Sequence, residues 1–107
     1  MRVPFPHLER AVVTVRPALV LAERPTGIDS PVLWTAMITN ALRPDWPGDV
    51  LVPDPEALGL IIPSKIRTAK LTTVVASAAS SLGRVDAATW DEVRGTIHSA
   101  LAHLMDG

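Results

Sequence analysis

Six polar residues stand at the ends of apolar runs in this chain, and their types suit the binding of a phosphate group. Arg16 directly precedes the run Pro17–Ala22, and Thr39 and Asn40 close the run Pro31–Ile38. Ser64, Lys65 and Arg67 lie on or just after a run that begins at Gly59. If these runs are strands of an antiparallel sheet, groups at their ends can converge on one rim. A guanidinium presents a planar fork of donors that matches a phosphate, and a threonine hydroxyl donates one further hydrogen bond. Charge placement agrees: no acidic residue falls between Glu56 and Asp86, whereas Lys65, Arg67, Lys70 and Arg84 all do. Four cations without a carboxylate raise a local positive field in a chain whose net charge is only −1. The ordinary alternative is that these are solvated charges beside strands.

Other chemistries find no support. The chain has no cysteine, so disulfides, thiolate nucleophiles and Cys-ligated zinc are excluded. His98 and His103 are five positions apart, which does not place them on one helical face as an i, i+4 metal pair would be. Neither a glycine-rich phosphate loop nor a Gly-x-Ser-x-Gly elbow occurs. No metal or other cofactor is expected.

The elements that must hold these residues follow from proline and periodicity. The chain has 107 residues, read as one domain over 1–107, with 48% apolar and 20% charged residues. With three Trp, one Phe and no Tyr, the core must be built from Val, Leu, Ile and Ala. All ten prolines lie between Pro4 and Pro63, so the first part of the chain is strands and turns. Pro17–Ala22 and Pro31–Ile38 read as buried strands, joined antiparallel across the turn-forming segment Glu23–Ser30. Arg43–Gly48 reads as a loop, Asp49–Pro53 as a short strand, Gly59–Thr68 as a longer one, and Leu71–Ala76 as a further strand. Asp86 caps a C-terminal helix whose apolar stripe is Trp90, Val93, Ile97, Ala100, Leu101 and Leu104. Trp90, Val93, Ile97 and Leu101 are expected to be buried against the sheet. The fold class is α+β, a small antiparallel sheet or barrel with a C-terminal amphipathic helix. No apolar run approaches the roughly 18 residues that span a bilayer, and the N-terminus has no signal-peptide h-region. A cytoplasmic protein with no membrane partner is expected.

The order of the motifs resembles one family. Val3-Pro4-Phe5-Pro6 is followed by Arg16-Pro17-Ala18-Leu19-Val20-Leu21, Met37-Ile38-Thr39-Asn40, and then Ser64-Lys65-Ile66-Arg67-Thr68-Ala69-Lys70-Leu71. Leu82-Gly83-Arg84-Val85 and the helix complete the set. Over nearly its whole length the chain resembles the MazF/PemK toxins of bacterial type II toxin–antitoxin systems. That resemblance implies an SH3-like barrel with added helices, assembled as a homodimer and paired with a cognate antitoxin. It also implies an endoribonuclease that cuts single-stranded RNA without metal, leaving 2′,3′-cyclic phosphate and 5′-OH ends. By position, Arg16 is then the main phosphate and transition-state residue, and Thr39 hydrogen-bonds the scissile phosphate. Ser64, Lys65, Arg67 and Lys70 are expected along the RNA. Where some members carry an acid and an arginine, this chain has Ser64 and Ile62, so the base is assigned to His7 or Glu9 in the loop ahead of Arg16. The competing expectation is a non-catalytic MazF- or CcdB-like protein that acts through protein–protein contacts, with an antitoxin or a gyrase-type target.

Overall fold

The computed structural model describes the backbone of residues 2–7, 12–28 and 30–106, and side chains within 16–103. Five strands, β1 (Arg2–His7), β2 (Val12–Arg24), β3 (Val32–Asn40), β4 (Asp49–Leu51) and β5 (Ser64–Val75), precede one helix, α1 (Ala87–Asp106). The strands form one sheet in the order β1-β2-β3-β5-β4, and every pairing is antiparallel. The α+β architecture, a small barrel-like sheet with a C-terminal helix, is the one expected.

Proline placement explains the edges. Pro4 and Pro6 sit on β1, the outermost strand, where a missing N–H breaks no central ladder. Pro17 pairs with Arg2, one position before β2 first meets β3 at Ala18 and Met37. β2 therefore starts five residues ahead of Pro17, and the β-branched run Val12–Val15, expected as loop, is strand.

The longer strand also differs from expectation. Gly59–Pro63 is not strand: a 3-10 turn over Pro55–Leu58 ends at Gly59, whose φ of 69° is left-handed and whose N–H bonds back to Glu56. The strand begins at Ser64 and runs unbroken to Val75, so the two segments expected from Gly59 and from Leu71 are one element. Between them, β3 passes directly from pairing Ala36 with Leu71 to pairing Met37 with Arg67, leaving Thr68–Lys70 as a wide bulge. The polar interruption that reads as a strand break is the bulge that bends β5.

The core lies between the sheet and α1. Ala36, Ile38, Val50, Ile66 and Val93 are all almost fully buried in one cluster, with Val52 and Leu58 beside them. α1 starts where expected: the Thr89 N–H donates to Asp86 Oδ1 at 2.6 Å, and that bond holds the Asp86 carboxyl below its ordinary pKa. Val93 is fully buried, and Trp90 and Ile97 are partly so. Leu101, expected in the core, is 54% exposed, because the far end of α1 borders an open groove instead of the sheet's packed face. No helix among the described residues is long and apolar enough to cross a membrane.

Candidate functional site

Register brings the strand-end residues together. The β2–β3 ladder pairs Leu19 with Ala36 and Ala18 with Met37, and two residues beyond that pair on each strand stand Arg16 and Thr39. On the other side of β3, Asn40 pairs with Ser64. Arg16, Thr39, Asn40 and Ser64 therefore line one cleft of about 420 Å³, together with Arg43 and a wall that includes Ile38 and Ile62. Arg16 and Arg43 are exposed, Thr39 and Asn40 half-buried. Ser64 is buried, and its hydroxyl donates to the Ile62 carbonyl at 2.9 Å. Among the described residues, two guanidiniums and no carboxylate line this cleft. Its chemistry is that of an anion site with neutral donors between two fixed cations.

Arg43 reaches the cleft through the β3–β4 loop. Its N–H donates to the Asn40 carbonyl at 3.1 Å, and the Asn40 side-chain oxygen accepts the Leu42 N–H at 2.8 Å. Sequence reading assigned Arg43 only to a loop. The available signal was its place four residues after Thr39 and directly before a proline, at the end of a strand already credited with site residues.

Lys65 and Arg67, expected along the RNA, are not among the residues that line the cleft. Alternate residues of β5, they point into the loop and are buried, at 1% and 7% exposure. The Lys65 ammonium donates to the Arg43 carbonyl at 2.5 Å and to Asp45 Oδ1 at 2.8 Å, and stands 3.5 Å from Asp49 Oδ2. Arg67 donates through Nη2 to the Pro44 carbonyl at 2.6 Å and to Asp49 Oδ2 at 3.3 Å, and its guanidinium lies 4.3 Å from the Trp46 ring centroid. Their charge is thus directed at two carboxylates. The hydrogen bond and charge of Lys65 hold the Asp45 carboxyl below its ordinary pKa. Lys70 is exposed in the β5 bulge and also lies outside the cleft lining.

A turn closes this loop. The Asp49 N–H returns to the Trp46 carbonyl at 3.1 Å across Pro47-Gly48, a proline–glycine turn with Gly48 at φ 87°. A Cβ at Gly48 would stand 2.5 Å from Thr68 Oγ1, the hydroxyl that donates to the Gly48 carbonyl at 2.7 Å. Only glycine fits there.

Residues 2–101 match the family model of PemK-like, MazF-like toxins of type II toxin–antitoxin systems. The chain belongs to that family. No curated protein matches the chain. Membership in a type II system implies an antitoxin partner for this PemK-like toxin. The toxin also carries an apolar groove of about 890 Å³ between the sheet and α1, lined by Leu21, Trp34, Leu71, Trp90, Ile97 and Leu101 among others. Trp34, Leu71 and Leu101 are each at least half exposed along it. Of the expected bases, His7 ends β1 opposite Val12 with its side chain outside the described set, and Glu9 lies outside the described residues. Among the described residues no cluster of His, Asp or Glu suits a metal ion.

Proposed function

We propose that this PemK-like toxin is an endoribonuclease of the cytoplasm that cleaves single-stranded RNA without a metal ion, at the cleft between Arg16 and Arg43. The observation that carries this reading is the pairing of two arginines with Thr39 and Asn40 in one cleft whose described lining holds no acid. In the reaction a base takes the proton of the ribose 2′-OH, and that oxygen bonds to the adjacent phosphorus. The bond to the 5′ oxygen breaks, and an acid returns a proton to it, leaving a 2′,3′-cyclic phosphate and a 5′-OH. Charge grows on the non-bridging oxygens in between. Arg16, permanently cationic, meets that charge. The Thr39 hydroxyl donates one hydrogen bond to the same phosphate. His7 or Glu9 is the proposed base, from the segment joining β1 to β2.

Purified protein incubated with long RNA in EDTA tests this. Cleavage with cyclic-phosphate ends is expected. Arg16→Ala should lower the rate by about 10²- to 10³-fold, as loss of a charge-stabilising donor does. Thr39→Ala should cost roughly 2- to 10-fold, the worth of a single neutral hydrogen bond. Wild-type protein that binds an antitoxin peptide but leaves RNA intact from acid to alkaline pH would replace the nuclease by a binding-only toxin.

The toxin is also proposed to be a two-fold homodimer. The support is the exposed apolar groove, since a soluble monomer rarely leaves Trp34, Leu71 and Leu101 together in water. Light scattering at micromolar concentration should give twice the chain mass, and a monomer would refute it.

A further inference from the structure

We infer that Lys65 and Arg67 are positioning residues: from β5 they fix the β3–β4 loop so that Arg43 stands over the cleft facing Arg16. The inference rests on the ribonuclease reading for its substrate and on the loop geometry for its mechanism.

Arg43 is held on both sides of its Cα. Its N–H is tied to Asn40 and its carbonyl to the Lys65 ammonium. The next carbonyl, of Pro44, is tied to Arg67. A residue before proline is already confined to extended backbone, and Pro44 adds a fixed φ of its own. The Arg43 backbone therefore has almost no freedom, and only its side-chain torsions remain to search for a phosphate. Preorganisation of this kind lowers the cost of binding. On the far side, Trp46 is pinned by the Arg67 guanidinium at its ring and by its own N–H, which donates to Asp49 Oδ2 at 3.0 Å.

Stability alone gives a poor account of this cluster. Burying cations costs solvation, and well-packed apolar residues of equal volume commonly do as well or better. An apolar pair at positions 65 and 67 would fill the space but could not hold two successive carbonyls in fixed directions. Nor does Lys65 present its ammonium to solvent. Lys65 is 1% exposed, and all its polar contacts are to the loop and to Asp49.

A double-mutant cycle tests the coupling. Lys65→Met, Arg43→Ala and the double variant are compared in kcat/KM and in affinity for a 2′-O-methyl single-stranded oligonucleotide, which cannot react. Arg43→Ala should weaken binding about 10-fold and lower the salt slope by about one. Lys65→Met should weaken binding several-fold in the native background and leave it unchanged, within about twofold, in the Arg43→Ala background. Multiplicative losses, or wild-type binding by Lys65→Met, would overturn the inference. Amide exchange of Arg43 and Trp46 is measured alongside and should accelerate in Lys65→Met; unchanged protection would also overturn it. That readout needs no RNA, so wild-type protein that ignores RNA refutes the nuclease while exchange still decides the clamp. If Lys65→Met does not fold, Asp45→Asn removes one Lys65 partner from an exposed position and should show the same loss of coupling to Arg43 in weaker form.

Discussion

Replacing Asp49 by alanine is the sharpest test of how the loop is held. The Asp49 side chain is 6% exposed, and its Oδ2 takes the Trp46 N–H at 3.0 Å while standing 3.3 Å from Arg67 and 3.5 Å from Lys65. Its loss leaves two buried cations with one carboxylate, Asp45, whose side chain is 88% exposed. Removing one partner of a buried pair costs about 3–5 kcal/mol, mainly for the charge left uncompensated. The lower figure applies here, because Asp45 still faces Lys65 and the Pro44 carbonyl still accepts from Arg67. At roughly 4 °C per kcal/mol for a domain of this size, the melting temperature should fall by about 12 °C. Urea unfolding followed by circular dichroism should show a lower midpoint with an unchanged slope. Protein concentration is kept fixed, since a dimer's stability depends on it. Leu51→Ala, at a 68% exposed position two residues along β4, is the control and should cost within about 0.5 kcal/mol. An Asp49→Ala loss under about 1 kcal/mol would mean that Lys65 and Arg67 behave as solvated surface charges, and the clamp argument would fail with it.

Two further predictions separate core from surface and fix the sign of the acid response. Ile66→Ala, at a fully buried site, should cost about 2–5 kcal/mol by denaturant unfolding, while Leu101→Ala should leave the fold of the single chain nearly unchanged and act only on self-association. The Asp45 and Asp86 carboxyls are held below their ordinary pKa by Lys65 and by the Thr89 N–H respectively. Their stabilisation is therefore complete above the unfolded carboxylate value and is lost as pH falls through the lower folded values. Asp45→Asn should flatten that acid limb, and a variant with the wild-type acid profile would contradict the pairing with Lys65.

Much of the fold was legible because single residue types decide it. The concentration of proline up to Pro63 bars a long helix there, and Asp86 with the Trp90–Val93–Ile97 spacing announces α1. The β3–β4 loop was legible from Pro44, Pro47 and Gly48. What escaped depends on tertiary context. The Thr68–Lys70 bulge reads as a strand break, since a polar interruption in an apolar run looks the same whether the chain leaves the sheet or bends within it. Leu101 continues the helical stripe, but a stripe does not say where the facing surface ends. At the site, Arg16 and Thr39 were legible as strand-end groups, and register carries both to one cleft. Arg43 was not, because a loop arginine gains a role only when the loop is fixed.

The burial of Lys65 and Arg67 could not be read from the charge pattern. The segment from Glu56 to Asp86 lacks acids, and a one-dimensional charge count makes it a positive surface. The sheet folds Asp45 and Asp49, from 16 to 20 residues upstream of the cations they pair with, onto Lys65 and Arg67. That cancellation moves the local positive charge elsewhere. Lys65 and Arg67 are neutralised inside the loop, and Lys70 sits in the bulge away from the cleft. Arg16 and Arg43 line the cleft with no acid among the described residues of its walls. In a chain of net charge −1, a cleft lined by cations thus arises from where carboxylates are sequestered as much as from where arginines are placed. In the proposed clamp, Asp45 and Asp49 act on the cleft from outside its lining, through the cations that hold the loop carrying Arg43.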